Sequence, residues 1–387
     1  MNDFQLIVDA FRQLREGQRA ALATVVSVEG SSYRRPGARM LIAESGETTG
    51  VLSGGCLERD VCEHAQRLML TGEPVVVRYD TTNKDDIVWG LGLGCNGIVH
   101  VLIEPATNDN VAGVMQLLSE CAEADSCGAV ATVFHAEGDV DTAIGARALL
   151  YPDGTVDGEL TDPIFDDLRD ATNSCVRRYE VSGGYVDVFL EVVQPRVRLV
   201  LFGAGPDVLP IVNLATVLNW HTTVVDTSGR VSSLERFNNA DAVVLCRPED
   251  ILAQVAFCER TIVVVMTHNY LHDVELLRQL LLLPLPYIGC LGPRRRTERL
   301  LTEVSSSDAR LVASYLRRLH APVGLDIGAE TPEEIALSIV SEIKAVAAQR
   351  TGAQLRERAG SIHEGPSLAV AAAATFASEV WESASSF

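Results

Sequence analysis

Ser53-Gly54-Gly55-Cys56 stands where a β-branched stretch gives way to a helical one. A thiol at such a junction meets unpaired N–H groups and the positive end of the helix dipole, which lower its pKa and raise its thiolate fraction. Gly54 and Gly55 let a ligand approach the backbone, Arg59 is near enough to assist ionisation, and Glu58 opposes it. The same residues also suit a small apolar thiol packed beside a tight turn. A second thiol, Cys95, lies in Gly90-Leu91-Gly92-Leu93-Gly94-Cys95-Asn96-Gly97, a segment too rich in glycine for a regular element. That cost in backbone entropy implies something passing close to the chain. Together Cys56 and Cys95 read as a site for a soft ligand or for sulfur. No C-x-x-C occurs, and the pairs Cys56/Cys62 and Cys121/Cys127 lack zinc spacing, so no metal site is expected.

Between the first two strand-like stretches, Ser31, Ser32, Arg34, Arg35 and Arg39 crowd into one short loop. The chain carries 32 basic against 52 acidic residues, a net charge of -20, so this loop is the local positive island that an anionic ligand such as phosphate requires. The alternative is a solvated turn paired with nearby acids. A second island, Arg294-Arg295-Arg296, reads as an exposed first helical turn.

A third constellation lies further on. Gly203-Ala204-Gly205 follows the apolar run Leu199–Phe202 and opens a helix, the place where a dinucleotide's pyrophosphate meets backbone N–H groups. Asp226 ends the next strand, suited to a ribose diol and hence to NAD. The fingerprint is incomplete, because Val208 takes the third glycine position and Asp207 puts negative charge near the phosphates. Thr267 and His268 close a later strand on the ligand side, where His268 is either an acid, base or ligand, or a residue that holds its own loop.

The elements that must position these groups follow from periodicity. Phe4 to Leu14 has helical spacing, Ala20–Val28, Arg39–Ala43, Thr49–Leu52, Pro74–Tyr79 and Gly97–Ile103 read as strands, and Leu57–Leu70 as a helix among them. An α+β stretch follows, ending in a hairpin at Ser182-Gly183-Gly184. Beyond Pro195 short apolar runs alternate with helices, as in a doubly wound parallel sheet. The fold class is therefore α/β, with a mixed N-terminal domain (1–195), a Rossmann-like domain (196–350) and a partly ordered tail (351–387). No internal repeat is apparent.

Composition excludes several functions. A surface this acidic repels nucleic acid, and Lys84 and Lys344 are the only lysines, which leaves few places for Schiff-base chemistry. No Walker A loop is present, and no apolar run is long enough to span a membrane. Nine cysteines, an odd number, and a start without a signal peptide point to reduced thiols in a cytoplasm.

Ordered motifs then carry a resemblance over most of the chain. They are Thr24-Val25-Val26, Gly30-Ser31-Ser32, Pro36-Gly37-Ala38-Arg39-Met40, Ser53-Gly54-Gly55-Cys56-Leu57-Glu58 and Gly94-Cys95-Asn96-Gly97 in the first domain. In the second they are Phe202-Gly203-Ala204-Gly205, Met266-Thr267-His268, Tyr287-Ile288-Gly289-Cys290-Leu291-Gly292, Gly324-Leu325-Asp326-Ile327-Gly328 and Thr331-Pro332-Glu333-Glu334-Ile335-Ala336, with Gly360-Ser361-Ile362-His363 in the tail. The set resembles the XdhC/CoxI family, accessory proteins of molybdenum hydroxylases such as xanthine dehydrogenase and carbon monoxide dehydrogenase. Pro206 stands where that family usually has histidine, and Asn96 where it usually has a second glycine.

The resemblance implies a homodimeric chaperone that binds the molybdenum cofactor (molybdopterin), helps give it its sulfido ligand and hands it to an apo-hydroxylase. A cysteine desulfurase would supply the sulfur. Cys56 and Cys95 would face the cofactor, with the arginine loop on its phosphate. Two rivals remain: an NAD-dependent oxidoreductase using Gly203, Gly205, Asp226 and His268, and a ligand-free scaffold between a hydroxylase and a sulfurtransferase.

Overall fold

The computed structural model describes residues 3–14, 17–81, 97–160, 162–228, 235–305 and 318–358. The chain divides into two compact units between Pro195 and Arg196. Cys95, Asn96 and Gly360 to His363 lie outside the described residues, as does most of the expected tail. Among the described residues no helix is long and apolar enough to cross a membrane.

The N-terminal unit runs α1 (Asp3–Arg12), β1 (Ala20–Gly30), β2 (Arg39–Ala43), β3 (Thr48–Gly50), α2 (Glu58–Thr71), β4 (Val75–Asp80) and β5 (Gly97–Pro105). The same succession then recurs as α3 (Asp109–Glu123), β6 (Gly128–Gly138), β7 (Arg147–Leu150), β8 (Val156–Gly158), α4 (Asp162–Asp170), β9 (Cys175–Val181) and β10 (Gly184–Val193). The two antiparallel sheets have orders β3-β2-β1-β5-β4 and β8-β7-β6-β10-β9. Every strand of the second sheet occupies the place of its counterpart in the first. The unit is an internal duplication, and the expectation that the chain holds no repeat is corrected.

The likeness reaches single residues. Val26 and Phe134 each form a bulge at the same point of the central strand. Gly37-Ala38-Arg39 leads into β2 and Gly145-Ala146-Arg147 into β7. Tyr79 donates to Asp60 at 2.7 Å, and Tyr179 to Asp167 at 2.6 Å. A repeat of this kind escapes a search for a fixed period, because the connections between matching strands differ in length.

α2 covers the outer face of the first sheet and α4 that of the second. The inner faces meet through Val26, Leu102, Phe134 and Phe189. Two ion pairs cross between the copies: Arg39 Nη1 donates to Glu191 at 2.8 Å, and Arg147 Nη1 to Glu104 at 2.9 Å. Glycine is required beside each. Gly37 (φ +94) and Gly145 (φ +87) would put a Cβ within 2.8 and 2.7 Å of those carboxylates.

The C-terminal unit carries the expected parallel sheet: β11 (Arg198–Phe202), β12 (His221–Asp226), β13 (Ala242–Leu245), β14 (Thr261–Val265), β15 (Tyr287–Cys290) and β16 (Leu319–His320). Their order, β13-β12-β11-β14-β15-β16, is that of a doubly wound Rossmann-like fold. Helices α5 (Leu209–Val217) and α8 (Pro332–Ala347) pack one face, α6 (Tyr270–Leu280) and α7 (Arg294–Ser305) the other. Thr331 and Glu334 form a capping box that starts α8, with Pro332 in its first turn, which gives the Thr-Pro-Glu-Glu motif a structural role.

Candidate functional site

The site of interest lies at one end of the first sheet. β1 runs toward that end and pairs Gly30 with Gly97, the first residue of β5. β4 ends beside it, with Asp80 opposite Ile98, and β3 ends with Gly50 opposite Met40. The loop 31–38, the connection 51–57, and Thr81 and Gly97, the described residues that flank 82–96, therefore lie at one end of the sheet.

Within the connection, Ser53 is buried and organises the turn. Its Oγ accepts from the N–H groups of Gly55 (3.3 Å), Cys56 (3.1 Å) and Leu57 (3.1 Å), and from the Cys56 thiol (3.4 Å). Its own hydroxyl donates to Glu58 at 2.5 Å. Glu58 also accepts from the N–H of Ser53 at 2.7 Å and of Leu57 at 3.1 Å. Burial opposes ionisation of Glu58, but these donors outweigh it and hold the carboxyl below its ordinary value. Burial, and then the charge of Glu58, push the neighbouring Cys62 thiol up. The helix start is thus filled by Ser53 and Glu58, whose capping role the sequence did not reveal although both stand in the motif. The half-buried Cys56 sits on a turn of fixed shape.

The duplication separates support from chemistry. Arg39, expected to face an anion, is 5% exposed and committed to Glu191, and its counterpart Arg147 does the same for Glu104. Gly97, expected to admit a ligand, instead admits its own chain: a Cβ there would lie 2.3 Å from the Ser31 carbonyl oxygen. Its counterpart Gly184 faces the Glu137 carbonyl oxygen at 1.8 Å in the same test. Both copies need these residues, so they belong to the fold.

What the first copy has and the second lacks is informative. β3 reaches α2 through residues 51–57, whereas β8 reaches α4 through Glu159-Leu160-Thr161. β4 reaches β5 through residues 81–96, whereas β9 turns into β10 through Ser182-Gly183. The two added segments are those that carry Cys56 and Cys95. The loop between the first two strands has equal length in both copies, but Ser31, Tyr33, Arg34 and Arg35 correspond to Asp139, Asp141, Thr142 and Ala143. Ser31 is exposed, Ser32 and Arg34 are half-buried, and the Tyr33 ring lies along Gly54.

In the C-terminal unit the glycine turn serves its own chain. Gly203 (φ +134) would bring a Cβ within 2.4 Å of the Met266 carbonyl oxygen, so it is needed where β11 passes β14. A Cβ on Gly205 would lie 2.3 Å from Asp207 Oδ1, which places a carboxylate at the position expected for pyrophosphate. His268 Nε2 pairs with Asp207 Oδ2 at 2.7 Å and so holds its loop. Asp226 is buried, its Oδ1 accepting from the Ser228 N–H (2.7 Å) and hydroxyl (2.6 Å). Thr267 donates to the buried Asp273, which Arg296 also pairs, so part of the second arginine island is structural. A dinucleotide phosphate here would meet an acid that stays in place through its histidine partner.

Comparison with known proteins follows the same division. The family described as XdhC and CoxI matches residues 13–80, and that described as the XdhC Rossmann domain matches residues 199–343. A Bacillus subtilis (strain 168) protein described as a probable xanthine dehydrogenase subunit is 34% identical over 344 residues, 89% of this chain and 97% of that protein. An Escherichia coli (strain K12) molybdenum cofactor insertion chaperone, PaoD, is 34% identical over 94 residues, 24% of this chain and 30% of its own. A solved Bacillus halodurans structure described as a xanthine dehydrogenase superposes with a TM-score of 0.74 at 32% identity, covering 91% of this chain and 97% of that one.

Proposed function

The chain belongs to the XdhC and CoxI family, and from that premise we propose that it is an accessory protein of a xanthine dehydrogenase-type molybdenum hydroxylase that carries the molybdenum cofactor as cargo. The observation that carries this reading is the pair of thiol-bearing segments added to a scaffold whose second copy does without them. A thiolate suits a soft metal or a sulfur atom. Cys56 and Cys95 are the cargo-facing thiols, and Arg34 with Ser31 and Ser32 answers the pterin phosphate. Gly54 and Gly55 keep the backbone bare beside Cys56. Sulfuration draws on a cysteine desulfurase, and delivery is to the apo-hydroxylase, with the chaperone acting as a homodimer in the cytoplasm. The name of the Escherichia coli relative, a cofactor insertion chaperone, supports the binding and delivery part of this reading.

The test is cofactor retention. Protein purified under reducing conditions from cells that make the cofactor is expected to carry molybdenum and pterin in equal amounts, and Cys56→Ser to carry about tenfold less. Wild-type protein that carries neither, or a Cys56→Ser variant that carries as much as wild type, sinks the reading.

A further inference from the structure

We propose that Tyr33 is the stacking platform for the planar bicyclic heterocycle of the cargo, an assignment that rests on the reading above. Tyr33 is a large aromatic left 63% exposed in a loop that leaves the sheet beside the Cys56 turn. A Cβ placed on Gly54 would come to 3.6 Å from its ring, so the ring lies along that turn. At Gly55 (φ +104) the same test meets nothing within 4 Å, so the turn is open beyond the ring. One flat face, one thiol on a bare turn, and the arginines that follow Tyr33 in its own loop suit a ligand with a π-face, a soft atom and an anionic tail.

The second copy supplies the internal control. Its loop has the same length and joins the same two strands, yet Asp141 stands at the position of Tyr33 and no Gly-Gly-Cys turn follows. The fold is complete there without an aromatic, so neither the loop nor the sheet demands one. Tyr33 goes with the added thiol segments and not with the shared scaffold.

Titration of the full chain with fluorescent pterin-6-carboxylate tests this, with AMP as the competing planar ring. Stacking on an aromatic side chain supports a loss of about 5- to 150-fold in affinity for Tyr33→Ala, with Tyr33→Phe within about twofold of wild type. Tyr185→Ala, in the second copy, leaves binding unchanged. Melting temperatures of both Tyr33 variants match wild type, as expected at an exposed position. No pterin binding by the wild type, equal binding by Tyr33→Ala, or Tyr33-dependent binding of AMP as tight as that of the pterin overturns the assignment. Cofactor retention that depends on Cys56 and not on Tyr33 removes the stacking platform and leaves the chaperone reading standing. Tyr33-dependent pterin binding in a protein that retains cofactor without Cys56 does the reverse.

Discussion

Cys56 precedes a helix whose first N–H groups are taken by Ser53 Oγ and the Glu58 carboxylate, so the dipole argument for an activated thiol meets a local competitor. Sequence showed both groups within reach, but not which would capture the donors. Other thiols are told apart by burial and by their neighbours. Burial pushes Cys121 and Cys290 up to about 12. Burial also raises Cys258, but hydrogen bonds from Thr261 and the backbone of Arg260, the charge of Arg260 and a hydrogen bond from Arg198 outweigh it and hold the thiol below its ordinary value. Iodoacetamide at about pH 8 is therefore expected to label Cys258 well before Cys121 or Cys290 in folded protein, followed residue by residue by mass spectrometry. Labelling of Cys290 as fast as Cys258 without unfolding contradicts these environments.

Among elements, β2 falls at the predicted bounds, and α2 begins one residue later than its apolar pattern suggests. Such runs are legible because burial of one face repeats along the chain. The duplication was not legible, since Gly-Ala-Arg and Arg-Tyr recur among otherwise different residues at unequal separations. Its energetic signature is the exchanged pair of ion bridges, Arg39–Glu191 and Arg147–Glu104, with side chains at most 11% exposed. Arg39→Met alone leaves a buried carboxylate unpaired and is expected to cost about 3–5 kcal/mol, whereas Arg39→Met with Glu191→Leu recovers most of it. Urea unfolding of the single and double variants checks this, and additive losses refute the pairing.

For the whole molecule, stability has an acid-sensitive component in addition to the general effect of its charge of -20. Glu342 on α8 is partly buried, which raises its pKa, but pairing with His320, the Tyr287 hydroxyl and the Gly324 N–H outweighs this and lowers it. A depressed carboxyl contributes stability that is complete above its unfolded value, near 4.5, and lost as pH falls through the folded one. Glu342→Gln should melt lower than wild type at neutral pH and lose less between about pH 5 and 3. Parallel melting curves across that range count against it. The two units, each with its own core, are joined near the position where strand-helix alternation begins.

The amino-acid sequence by itself determined the strand and helix alternation, the parallel sheet, the two cysteine-bearing glycine segments and the family, because periodicity, glycine spacing and motif order are written locally along the chain. Tertiary structure alone decided that Arg39 and Gly97 are scaffold, that Asp207 and His268 satisfy each other, and that the first unit is two copies of one design. The reason is that a buried guanidinium needs a partner from anywhere in the fold. For Arg39 that partner is Glu191, 152 positions away.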